Sequence, residues 1–315
     1  MSSKPNNVAP AGEARPASGS LGRSIRAFAA FAKVVALRLP AKTPDEWAAV
    51  GEQLIRAIDA HDDSVAAVLL KRHGPQFAKE AFGSRGPRSA LALCASRGLS
   101  ESTRVLLPLS DPLATHEDNF DAHKAVWPEV CPSTALFEAI AGRNIEVLRM
   151  IAPVSDLLHE RGPGLSVFWR ASALLQGWSA VDNIVSGPMF IALMDESLRR
   201  PPASQSRLFQ SALKEIREGL ADVNGVTNGT RKNIEKHNLV EAFVERVPSE
   251  LLESIFANQD PRFPLPPELR APLAAKHEAW ALAQVVAKAS EGKTGQNGEP
   301  EAPNRVKAPR KAARL

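Results

Sequence analysis

A helix-turn-helix pattern written three times constrains this chain more than any other feature. LIRAIDAHDDSVAAVLL from Leu54, LALCASRGLSESTRVLL from Leu91 and LFEAIAGRNIEVLRMIA from Leu136 align without a gap. Small or apolar residues coincide at Ala57, Cys94 and Ala139, and again at Ile58, Ala95 and Ile140. The turn falls at His61, Gly98 and Arg143, and the second helix carries Val68, Val105 and Met150 followed by Leu69, Leu106 and Ile151. Two short helices cannot bury their apolar faces by themselves, so each pair must stack on the next. The expected fold class is all-α, a solenoid of helical pairs.

Composition agrees with helices packed through small contacts. Aromatics make up 5% of the 315 residues and tyrosine is absent, so sheets built on aromatic and β-branched pairs are disfavoured. The 44% apolar and 23% charged content is that of a globular chain with a sizeable core. Two cysteines, Cys94 and Cys131, are too few and too far apart for a disulfide framework or a thiolate metal knot. No apolar run is long enough to cross a bilayer, and IRAFAAFAKVVALRL from Ile25 is interrupted by Lys33 and follows a polar leader, unlike a secretory signal. The location expected is cytoplasmic, or exported without a conventional signal peptide.

Local signals place the first helices. TPDEW, from Thr43, combines an N-cap threonine, a proline at the first helical position and Glu46 at the third, which predicts a capping box and a helix to about Ala60. A second helix is predicted from Ser64 to Arg72, capped by Asp62 or Asp63 and stopped by Gly74-Pro75.

The repeated segments resemble ankyrin repeats, whose unit is a finger loop, two antiparallel helices and a short exit. STALFEAIAGRNIEVLRMI keeps Thr134 and Leu136 of the opening turn, Ala139 of the inner helix, and Glu146-Val147-Leu148 of the second. SALALCASRGLSESTRVLL keeps Leu91, Ala95, Gly98 and Glu101, whereas the first unit keeps only the apolar spacing. The turn histidine of the family is replaced by Ala92 and Phe137. Unit lengths of 37 and 45 residues, counted from Leu54 to Leu91 to Leu136, exceed the family's ~33. The resemblance therefore implies a degenerate, bacterial-type ankyrin-like solenoid with elongated fingers, followed by a helical C-terminal region.

Five segments follow along the chain. Residues 1–23 read as a disordered leader rich in Ser, Pro, Ala and Gly, and 24–42 as an amphipathic helix with Phe28, Phe31, Val35 and Leu39 on one face. Residues 43–160 hold the repeats. Residues 161–290 read as a helical C-terminal region with helices at Leu208, Asn233 and Ser249 and a last one to about Ser290; a further degenerate repeat with its turn at Gly177 is one reading of its start. Residues 291–315 read as a disordered basic tail: NRVKAPRKAARL has five basic residues and no acid, yet lacks the aromatics of a stacking surface, so it reads as solvated rather than as a nucleic-acid site.

The densest polar stretch is THEDNFDAHKAVWPEVC, residues 115–131. It is not a zinc-protease helix, because His123 lies seven residues after His116 instead of four. A looser cluster of His116, Asp118, Asp121 and His123 lacks a second half-site, and calcium-loop spacing is missing. GKT at Gly292 lacks the earlier glycine of a phosphate loop, and no nucleophilic triad can be assembled from spacing. No catalytic residue, metal or cofactor is therefore expected.

The resemblance gives the stretch another meaning, since it falls where ankyrin-like proteins place a finger, and fingers with inner helices commonly contact partner proteins. The candidate partner-binding residues are His116, Asp118, Phe120, Asp121, His123, Trp127 and Glu129, in which aromatics and mixed charges suit a protein interface; in the opposing reading Trp127 folds back onto the core. The expected function is a non-catalytic protein-protein interaction module whose partner is another protein. Two alternatives stand beside it: a secreted bacterial effector with an enzymatic C-terminal half, and a nucleic-acid or membrane-surface adaptor working through the basic tail.

Overall fold

The structure is a computed structural model and describes residues 43–79, 81–82, 88–116, 133–161, 165–176, 179–221, 228–257 and 264–294. The expected leader at 1–23, the amphipathic helix at 24–42, the Gly177 turn and most of the basic tail lie outside the described residues. The described part is mostly helical and falls into two compact units, 43–151 and 152–294.

In the first unit α1 (Pro44–Asp59) starts at the capping box that TPDEW predicts: Glu46 N donates to Thr43 Oγ1, and Thr43 N to Glu46 Oε2, both at 3.2 Å. α2 (Asp63–Phe77) begins at Asp62, whose Oδ1 accepts from Val65 N at 3.1 Å. It does not stop at Gly74-Pro75 as the sequence predicts. Proline inside a helix costs about 3 kcal/mol, but continuing the helix seats Phe77 at 0% exposure, stacked on Trp47 at 4.6 Å. Burial of such a ring contributes about 1.5–3 kcal/mol and offsets most of that cost.

Two further helix pairs follow, each opened by a two-residue antiparallel hairpin. β1 (Ala81–Phe82) pairs with β2 (Arg88–Ser89) ahead of α3 (Ala90–Ser96) and α4 (Ser100–Leu106). β3 (Thr115–His116) pairs with β4 (Ser133–Thr134) ahead of α5 (Ala135–Ala141) and α6 (Ile145–Ile151). α2 packs on α4 and α4 on α6, so the second helices of the three pairs follow one another, and α3, the first helix of its pair, packs on α5, the first helix of the next. Alanines at 90, 92 and 95 and the buried Cys94 keep α3 slim, which lets α5 approach closely.

The aligned turn positions share one backbone conformation. His61, Gly98 and Arg143 all have positive φ, at 54°, 68° and 55°. For His61 and Arg143 this geometry costs about 1–2 kcal/mol, and contacts between neighbouring turns hold it. His61 Nδ1–H donates to Arg97 O at 3.2 Å, and Asn144 Nδ2 to Gly98 O at 2.8 Å. Leu99, the N-cap of α4, offers no side-chain cap. Asp63 of α2 supplies it from the preceding pair, accepting from Glu101 N at 2.8 Å, Ser102 N at 2.9 Å and Ser102 Oγ at 2.7 Å.

The second unit contains α7 (Val167–Leu175), α8 (Asp182–Ser197), α9 (Pro202–Leu220), α10 (Asn228–Lys236), α11 (Leu239–Arg246), α12 (Leu252–Ala257) and α13 (Pro267–Thr294). α7 packs on α10 and α8 on α11, while α9 lies against α7, α8 and α10. The single helix predicted from Asn233 is two helices, broken at Asn238 with φ 50°. The end of α10 is pinned to α8: Lys236 Nζ and His237 Nε2 donate to Asn183 O at 2.9 and 3.0 Å, and Asn233 Nδ2 to Asn183 Oδ1 at 2.8 Å. Asparagine tolerates the left-handed conformation that this anchoring imposes. On α13, Lys276 Nζ donates to Val244 O, Glu245 O and Val247 O at 2.7–3.0 Å, satisfying the last carbonyls of α11. The helix runs to Thr294, beyond the expected Ser290.

A polar seam between α7 and α9 contains a buried carboxyl. Ser172 Oγ lies 2.6 Å from Glu215 Oε2 and 2.9 Å from Trp169 O, but a hydroxyl has one proton to give. If Glu215 carries a proton, it donates to Ser172, which in turn donates to Trp169 O, and both contacts are satisfied. Burial pushes the Glu215 carboxyl up and Glu218 adds to this, against the opposing effects of Ser172 and Lys214. A folded-state value above the unfolded one means that stability is full below the ordinary glutamate range and falls as pH rises through the raised value. The wild-type urea midpoint is expected to drop across that window, and Glu215→Gln to abolish this slope. An unchanged slope in the variant contradicts the protonated seam.

Candidate functional site

The bases of the two hairpins converge on one side chain. Glu138 sits in α5, where every residue from Ala135 to Ile140 is buried, and its carboxylate accepts from three neighbours. Arg88 Nη1 of β2 reaches Oε2 at 3.2 Å; His116 Nε2 of β3 and Ser133 Oγ of β4 reach Oε1 at 3.2 and 2.9 Å. Side-chain exposure is 7% for Glu138, 4% for His116 and 17% for Arg88, so these bonds are shielded from water. A carboxylate only accepts, hence the His116 proton lies on Nε2; Nδ1 is buried, with no hydrogen-bond partner among the described residues. Burial raises the Glu138 carboxyl, but His116, Arg88 and Ser133 together outweigh it and hold the group below the usual carboxylate range. One anion thus ties together the roots of both fingers.

Of the seven residues read as partner-facing, the structure describes His116 alone. It is buried, in β3, with its ring held by Glu138, so this side chain braces the root of the hairpin. Asp118, Phe120, Asp121, His123, Trp127 and Glu129 lie outside the described residues, in the segment that joins β3 to β4. Arg88, Ser133 and Glu138 were not among the expected site residues. The signal that could have found them is the glutamate within the apolar run ALFEAIA: a short helix packed on several sides has no open face for a charge, which must then be paired.

Among the described residues, groups suited to covalent or metal chemistry do not gather here. Cys94 is wholly buried, and burial together with the nearby Asp63 pushes its thiol up against the lowering effect of Ser102, keeping it a neutral thiol. Among the described residues no three His, Cys, Asp or Glu side chains form a group able to hold a metal ion. No helix of the described residues is long and apolar enough to cross a membrane. Compared with family models, with curated proteins and with solved structures, the chain finds no match.

Proposed function

We propose that the chain is an ankyrin-like repeat protein whose inner helices and finger loops bind another protein, without catalysis. The observation that carries this reading is the threefold recurrence of a helix pair around a left-handed turn, with a hairpin rooted ahead of the second and third pairs. Stacked pairs of this kind present an extended surface to a partner. Glu138 supports the reading because it fixes the roots of both hairpins, so whatever the 117–132 segment presents starts from a rigid base.

Trp127 and Phe120 are the anchors to test. Phe120→Ala with Trp127→Ala is expected to weaken capture of the partner by roughly thirtyfold, the loss typical of removing an interface hot spot, with an unchanged melting midpoint. Equal capture by variant and wild type overturns the finger interface. A lowered midpoint with intact capture assigns Trp127 to the core instead. Removal of 295–315 is expected to leave capture intact; loss of all binding, with strong salt dependence, transfers the function to the basic tail.

A further inference from the structure

The cleft between α9 and α12 has the chemistry of a small anion site, and it belongs to the second unit, independent of the finger reading. Gln210, Lys214 and Arg217 lie at i, i+4 and i+7 on α9 and form one stripe. Together with Leu213, and with Ser254 and Ile255 of α12, they line a space of about 210 Å³. Its floor is apolar, formed by the buried Leu213 and Ile255, and the cleft opens to solvent. Its donors are the Gln210 amide, the Lys214 ammonium and the Arg217 guanidinium; Ser254 already donates to Leu251 O at 2.8 Å and contributes a polar wall. Among the described residues Lys214 makes no hydrogen bond or ion pair.

Size and charge select the occupant. Pockets for drug-sized ligands run to about 300–1,000 Å³, so this cleft accommodates one side chain or head group. Two cations over an aliphatic floor match a carboxylate on a short methylene stem: the stem covers Leu213 and Ile255, and the carboxylate takes charge-assisted bonds from Lys214 and Arg217. Glu218 and Glu253 are exposed, one residue beyond the lining positions Arg217 and Ser254. Their charge penalises a dianion such as phosphate more than a single carboxylate. We propose that this cleft receives a glutamate side chain of an acidic peptide.

The probe is a fluorescein-labelled hexaglutamate peptide, titrated with the full chain and followed by anisotropy at low salt. Saturable binding is expected, weakened roughly tenfold by Lys214→Glu and much less by Lys288→Glu, which changes net charge equally on an exposed part of α13. Ile255→Ala is expected to weaken binding without any change of charge. Glutarate should compete and inorganic phosphate should compete poorly; glutarate binding without peptide binding would assign the cleft to a free acid and overturn the peptide. Equal losses in the two lysine variants mean non-specific attraction, and no loss in Lys214→Glu places binding elsewhere, the basic tail included; either result overturns the proposal. Lys214 is exposed, so matching melting curves for variant and wild type exclude unfolding as the cause.

Discussion

Glu138→Ala is expected to destabilise the first unit by about 3–5 kcal/mol, the effect of removing one partner from a buried ion pair. The substitution strips Arg88 and His116 of their shared acceptor while both stay largely shielded from water. It also leaves Ser133 Oγ, at 0% residue exposure, without the carboxylate it bonds. Urea denaturation measures the loss, and a change under 1 kcal/mol would falsify the hub. Acid dependence gives a second readout. The folded-state value of Glu138 is held below the usual range, so its contribution is complete above the unfolded glutamate value of about 4.3 and is lost as pH falls through the depressed value. The acid limb of the wild-type stability curve should therefore flatten in Glu138→Gln, which cannot protonate.

Breaking the cluster and replacing it are different experiments. Buried ionic groups exchanged together for apolar ones of similar volume are often neutral or stabilising. Arg88→Met, His116→Leu and Glu138→Leu combined should recover much of the stability that Glu138→Ala loses, short of the cost of leaving the buried Ser133 Oγ without its acceptor. What the triple variant should not recover is the common register of the two hairpin roots, because apolar contacts lack the direction of three bonds to one carboxylate. The cluster thus fixes the two hairpin roots relative to each other, with stability following from its completeness.

Legibility in the sequence tracked how local each cause was. The TPDEW capping box and the positions of the three turns depend on residues a few positions apart, and both are visible in the spacing. Helix ends set by distant partners were not. α2 passes Pro75 because Phe77 meets Trp47, thirty positions earlier in the chain, and α10 stops because Asn183 holds His237. The hub was hidden for the same reason: Arg88, His116 and Glu138 come from three separate segments, and nothing in the spacing of any one announces the other two. In the sequence His116 is one polar residue among many, and the structure buries its ring against Glu138.

Gly142→Ala tests the stacking of pairs directly, because two effects of opposite sign meet at one methyl group. Gly142 has φ −69°, a conformation open to any residue, so alanine by itself would stabilise by about 0.4–1 kcal/mol through the unfolded chain. Its Cβ, however, would meet Ala95 O and stand 3.1 Å from Ser96 C and O, all backbone atoms of the last turn of α3. Backbone cannot rotate aside as a side chain can, so α5 must withdraw from α3. A net loss of about 2–3 kcal/mol is expected, with hydrogen-exchange protection falling in α3 and α5 and unchanged in the second unit. Gly51→Ala supplies the contrast: it lies within α1 with nothing inside 4 Å of the added methyl, and should stabilise by up to about 1 kcal/mol. The same chemical change with opposite signs at the two glycines would locate the constraint in the approach of one helix pair to the next, and equal signs would remove the close packing of α5 on α3 from the account.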